Sequence, residues 1–93
     1  VSATPSVAFD PSAPWCVSAQ VSLRDETFGA MAYHHGNRRL VFLKSPQLVE
    51  LVRRLEQFDS ADLAIDAVVP PDQHGRYVKA LTALATSEIV CGR

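Results

Sequence analysis

Few residues in this 93-residue chain carry reactive side chains. Two cysteines, Cys16 and Cys91, stand near opposite ends, and the three histidines are His34, His35 and His74. A thiolate paired with an imidazole is a possible nucleophile. Nothing in the spacing brings either cysteine to His34. Neither cysteine lies in a Cys-x-x-Cys pair, so the spacing gives no zinc site and no disulfide framework. Adjacent His34 and His35 on a strand would point to opposite faces and would not share a metal. Asp25 and Glu26 would point apart for the same reason and read as a solvated turn. There is no G-x-S-x-G, no H-E-x-x-H and no phosphate-cradling loop; Gly29, Gly36, Gly75 and Gly92 are isolated. The chain is therefore expected to be non-catalytic, with no metal and no cofactor.

The scaffold behind these residues is one small domain. Hydrophobic residues make up 47% and charged residues 20%, the balance of a folded chain, not a disordered one. The formal charge is −1. DNA- and RNA-binding domains are usually basic, so nucleic acid is not an expected partner. The charge is uneven, however. Arg38, Arg39, Lys44, Arg53 and Arg54 stand against Glu50 alone between positions 38 and 54, a local +4. Such a face suits an acidic partner. No apolar run approaches the roughly 20 residues that span a bilayer. A cytoplasmic chain with no membrane partner is expected.

Residues 1–13, rich in Pro, Ser and Ala, read as a flexible N-terminal arm that Phe9 could anchor. The folded domain is expected over 14–93. Val17, Ala19, Val21 and Leu23 alternate with polar residues and predict one strand with a buried face. A turn at Asp25–Thr27 leads to a second strand over 28–34. Gly36 and Asn37 predict a tight turn, since both tolerate positive φ. A third strand follows over 38–43, apolar on both faces.

Ser45-Pro46 reads as an N-cap followed by Pro at the first helical position. Leu48, Leu51, Val52 and Leu55 then form one helical stripe. Ser60 caps a shorter helix with Leu63, Ala64, Ala67 and Val68, which ends at Pro70-Pro71. Asp72 is expected to cap a third helix with Tyr77, Ala80, Leu81 and Leu84 on one face. Ile89 and Val90 suggest a short closing extension.

This order supports a binding module. A short apolar strand at a sheet edge has free N–H and C=O groups, a template for an added strand. The occupant is an extended peptide or, through the same edge, a second copy of the chain. The third helix would form the other wall, although core packing is the expected role of Tyr77, Leu81 and Leu84. Arg38, Arg39, Lys44, Arg76 and Lys79 could steer an acidic peptide. A winged-helix DNA-binding domain has a similar plan. Its recognition helix needs basic and polar side chains, whereas the third helix here offers only Arg76 and Lys79.

Two stretches carry a family resemblance. FDPSAPW at Phe9–Trp15 and VSLRDETFGAMAYHHGNRRLVFLKSP at Val21–Pro46 resemble the mycofactocin biosynthesis chaperone (MftB) family. FGAMAYHHGNRRLVFLKS is the most specific part, and the ending LTALATSEIV is similar but less diagnostic. The likeness covers nearly the whole chain from Phe9 onward. That family belongs to the PqqD-like precursor-peptide recognition elements.

The resemblance implies an α+β, winged helix-turn-helix-like fold, a three-stranded antiparallel sheet followed by three helices. It implies a non-catalytic chaperone without a cofactor. Such a chaperone binds the leader of the mycofactocin precursor peptide and presents it to a radical S-adenosylmethionine maturase, which decarboxylates and cross-links the C-terminal Val-Tyr of the peptide. Leaders of this kind tend to be acidic. They add as a strand beside the third strand, which here maps to Arg39, Leu40, Val41, Phe42 and Leu43, with Arg38 and Lys44 at its ends. The facing helix would contribute Arg76, Tyr77, Lys79, Ala80, Leu81, Ala83 and Leu84. Cys16 has no implied role.

Overall fold

Three strands, β2 (Val21–Glu26), β3 (Gly29–His34) and β4 (Leu40–Leu43), form an antiparallel sheet in the order β2-β3-β4 in the computed structural model, which describes residues 9–92. Three helices follow, α1 (Pro46–Arg54), α2 (Ala61–Val68) and α3 (His74–Thr86). A second sheet pairs β1 (Trp15–Val17) with β5 (Val90–Gly92), antiparallel. The fold is α+β and consistent with the PqqD-like plan of three strands followed by three helices.

The alternation over 17–23 does not make one strand. Gln20 N–H donates to Ser18 Oγ and Val21 N–H to Ser18 O, so the backbone turns there. The piece before the turn pairs with the C-terminal β5, and only the piece after it enters the main sheet. β2 then runs through Asp25 and Glu26, and the turn falls at Thr27–Phe28.

The main sheet buries one face. Ala30, Ala32 and Leu43 are fully buried, while Leu40 and Phe42 on the other face are about half exposed (48% and 49%). Small residues on β3 let the helices approach closely. Gly29 sits at φ 147, and a Cβ there would overlap the Leu43 carbonyl oxygen, so glycine is required where β3 starts beside β4.

The β3–β4 connection differs from the expected turn. The positive φ (61°) lies at Arg38, not at Gly36 or Asn37. The buried His34 ring organises the loop: its Nδ1 accepts from Gly36 N–H (3.0 Å) and Asn37 N–H (3.1 Å). Asn37 Oδ1 accepts from Arg39 N–H at 2.9 Å. Two side chains thus satisfy the loop backbone, and Arg38 takes up the turn. His35 is exposed on the opposite side, as the alternation requires.

The helices pack on the buried face of the sheet. Ser45 caps α1 with Pro46 at its first turn, and Leu51, Val52 and Leu55 point inward. Ser60 caps α2. Its buried residues are Ala61, Ala64 and Ile65, whereas Leu63 is 52% exposed. A 3-10 turn at Pro71–Gln73, not an Asp72 side-chain cap, leads into α3. α3 buries Tyr77, Leu81, Leu84 and Ala85. Its end is a Schellman motif: Ile89 N–H donates to Leu84 O and Glu88 N–H to Ala85 O, with Glu88 at φ 63 where glycine is usual. This turn throws the chain back into β5.

The expected arm falls partly on residues 1–8, outside the described residues. Residues 9–13 are held. Phe9 packs on Trp15 with ring centroids 4.7 Å apart, and Trp15 Nε1 donates to Asp10 O. Ala13 O and Pro11 O accept from Ala61 and Asp62 N–H, which satisfies two donors at the start of α2.

Candidate functional site

β4 is an edge strand. β3 covers one of its sides, and no described residue pairs with the other. The register fixes which backbone groups are free. His34 N–H donates to Arg39 O at 2.9 Å. Hydrogen-bonded pairs alternate along an antiparallel ladder. Ala32–Val41 and Ala30–Leu43 are therefore the next hydrogen-bonded pairs in the register. Val41 and Leu43 spend their backbone groups on β3. Leu40 and Phe42 direct theirs to the open edge, and their side chains are also the exposed ones.

A groove of about 470 Å³ lies between the end of β4, the start of α1 and α3. Phe42, Lys44, Leu48, Arg76, Tyr77 and Ala80 line it, with Ser45, Gln47 and Gln73 at its floor and rim. A local contact ties its walls together. The Tyr77 hydroxyl lies 3.2 Å from Ser45 Oγ, which also accepts from Leu48 N–H at 3.4 Å. The capping residue of α1 and the inner face of α3 are thereby joined. A shallower concavity continues along α3 over Gly75, Arg76, Lys79 and Ala80.

The residues expected at the site fall into three groups. Phe42, Lys44, Arg76, Tyr77 and Ala80 meet in the groove, with Lys79 beside it. Arg38, Arg39 and Leu40 are exposed at the other end of β4, half-buried Val41 lies between, and Ala83 is exposed on α3 one turn beyond Ala80. Leu43, Leu81 and Leu84 are buried and support the groove from below. Sequence reasoning left out Ser45, Gln47, Leu48 and Gln73. Leu48 reads as part of the α1 core stripe, and no local signal turns it toward a groove.

The charge pattern is sharper than the +4 count. Arg53 is paired with Asp25 (2.8 Å) and Arg54 with Glu50 (2.9 Å). Among the described residues no carboxylate pairs with Arg38, Arg39, Lys44, Arg76 or Lys79. The unpaired cations thus flank the open edge and the groove. Phe28 packs edge-on against Phe42 at 5.6 Å and extends the apolar surface on the outer face.

At the N-terminus of α3, His74 bridges two carboxylates of α2, Asp66 through Nδ1 and Asp62 through Nε2, both at 2.9 Å. The hydrogen bond to Asp66 raises the His74 pKa above its usual 6.5, and Asp62 adds to this against partial desolvation. The carboxylates oppose the unfavourable placement of a cation at a helix N-terminus. The two carboxylates hold opposite ring nitrogens, so the trio cannot chelate one ion. Among the described residues no group of three His, Cys, Asp or Glu could hold a metal, and no helix is long and apolar enough to cross a membrane.

An open strand edge, an apolar groove and cations unpaired among the described residues thus lie together around β4 and α3. Known proteins give this chain a family. The model of the peptide chaperone MftB family matches residues 14–91. The chain is 40% identical over 84 residues to peptide chaperone MftB of Mycobacterium ulcerans (strain Agy99), covering 89% of this chain and 77% of that one. It is 40% identical over 85 residues to the protein of that name from Mycolicibacterium smegmatis (90% and 83% covered). For Mycobacterium tuberculosis the identity is 36% over 89 residues (95% and 82% covered). No solved structure matches. The chain belongs to the peptide chaperone MftB family.

Proposed function

We propose that this chain is a non-catalytic peptide chaperone. It binds the leader of the mycofactocin precursor peptide and presents it to a radical S-adenosylmethionine maturase in the cytoplasm. The leader adds to β4 as a further antiparallel or parallel strand, taking hydrogen bonds from Leu40 and Phe42. Its apolar side chains enter the groove against Phe42, Leu48 and Ala80, and its acidic groups meet Lys44, Arg76 and Lys79. The open β4 edge beside a groove with unpaired cations is the observation that carries this reading. The names of the MftB relatives support the peptide as ligand. The same edge would join two copies of the chain when no peptide is present.

Backbone amide NMR with a synthetic precursor leader tests it. Shifts clustered on 38–44 and 76–84 are expected. Shifts confined to other elements would move the site, and none at high peptide concentration would remove the leader as ligand. Sedimentation of the peptide-free chain reads the second occupant: a dimer that the leader dissolves places both on one edge.

A further inference from the structure

The two cysteines, 75 positions apart in sequence, face each other across the smaller sheet. Cys16 and Cys91 are directly opposed in the β1–β5 register, and their sulfurs are 3.8 Å apart. We propose that this pair is a redox-responsive modification site, a thiol pair that a peroxide converts to an intramolecular disulfide.

The geometry favours closure. Ser18 N–H donates to Ile89 O. Ser18–Ile89 is thus a hydrogen-bonded pair, and the alternation makes Cys16–Cys91 the next one. Opposed Cα atoms at such a pair are about 5.5 Å apart, inside the roughly 4.4–6.8 Å that a disulfide accepts. The sulfurs need to approach by less than about 2 Å to reach bonding distance, a movement that side-chain rotation supplies. Access is open as well. Cys91 is exposed and Cys16 half-buried. A pocket of about 230 Å³, lined by Trp15, His34, Glu88 and Cys91 among others, opens beside Cys91.

The chemistry balances with hydrogen peroxide as oxidant. The Cys91 thiolate attacks one peroxide oxygen, the O–O bond breaks, and the leaving hydroxide takes a proton to become water. The resulting sulfenic acid is attacked by the Cys16 thiolate. The S–O bond breaks as the S–S bond forms, and the second hydroxide leaves as water. Two thiols lose two electrons and two protons, and one peroxide becomes two waters. The bond joins the first and last strands of the described fold and closes a loop of nearly the whole domain, which constrains the unfolded chain. β5 follows directly on the turn that ends α3, so oxidation also fixes the C-terminal end of the helix that lines the groove.

The native full chain is treated with hydrogen peroxide and read by intact mass, peptide mapping and thermal melting. Expected are loss of two hydrogens in mass, a Cys16–Cys91 cross-linked peptide, and a Tm higher by more than ~5 °C that dithiothreitol reverses. C91S, at an exposed position, should fold normally and show none of these. Cysteine sulfinic acids without a cross-link, dimers joined through sulfur, or an unchanged mass under peroxide would each overturn the proposal.

Discussion

The Tyr77 hydroxyl and the Ser45 hydroxyl lie 3.2 Å apart, which ties the inner face of α3 to the N-cap of α1. Through this contact the groove wall and its floor are one unit. Tyr77 is buried (7% exposed), so its ring contributes to the core while its oxygen reaches the groove. Y77F should cost about 0.5–1.5 kcal/mol, the net value of one hydrogen bond. S45A should cost about 1 kcal/mol through the lost cap. The double variant should lose less than the sum by ~0.5 kcal/mol or more, because both single changes remove the shared contact. Urea melts of the four proteins read this. Strict additivity would mean that the contact contributes nothing.

The register of β4 makes neighbouring positions behave oppositely. Val41 N–H faces β3 and Leu40 N–H faces the open edge. L40P should keep the fold and weaken leader binding by about 3–10-fold, the value of one backbone hydrogen bond. L40A controls for the lost side chain. V41P should lower the Tm first, because it removes a ladder bond inside the sheet. The opposite order of effects would place the peptide elsewhere.

Steering by charge should follow pairing, not composition. R76Q and K79Q remove cations that no described carboxylate pairs with, and should slow leader association and flatten its salt dependence. R53Q and R54Q remove cations already paired with Asp25 and Glu50 and should change the association rate little. Stopped-flow mixing at several salt concentrations distinguishes the two pairs. Equal effects from both would reduce the steering to net charge.

Stability should depend on pH through His74. Its pKa is raised in the folded state by Asp66 and then Asp62. A group with a raised folded pKa stabilises fully below its unfolded value, here near 6.5, and loses that contribution as pH rises through the folded value. The Tm should therefore fall across that window as pH increases. H74Q should flatten this slope and leave any other pH dependence in place. The effect is modest, because Asp66 and Asp62 are well exposed. An unchanged slope in H74Q would assign the pH dependence to other groups.

One substitution should stabilise. Glu88 occupies the left-handed position of the Schellman motif at φ 63, where a side chain is unfavourable. E88G relieves this but also removes the carboxylate that accepts from Asn37 Nδ2 at 3.5 Å, a long contact. A gain of about 0.5–1 kcal/mol is expected, the left-handed penalty of roughly 1–2 kcal/mol less the extra chain entropy of glycine. A lower Tm would show that the Asn37 contact outweighs the backbone strain.

Local order was legible from local sequence. Ser45-Pro46 with Leu51, Val52 and Leu55 specifies α1, because a cap and a 3.6-residue stripe need only neighbours. The β3 and β4 strands could be read for the same reason, as could the opposite facing of His34 and His35. The family was legible too, in the stretch from Phe28 to Ser45. Pairing was not. Alternation over Val17–Leu23 is satisfied by one strand or by two, and only the approach of β5, more than 70 positions away, decides that Trp15–Val17 leaves the main sheet. The same long-range pairing brings Cys16 to Cys91. Arg53 looks like a free cation until the fold sets Asp25 beside it, whereas the Glu50–Arg54 pair follows from i,i+4 spacing on one helix. Periodicity tells which side chains face the core; it does not say which backbone groups remain unpaired. That depends on register, and register is a property of two strands, so the free edge at Leu40 and Phe42 exists only once β3 has chosen its partners.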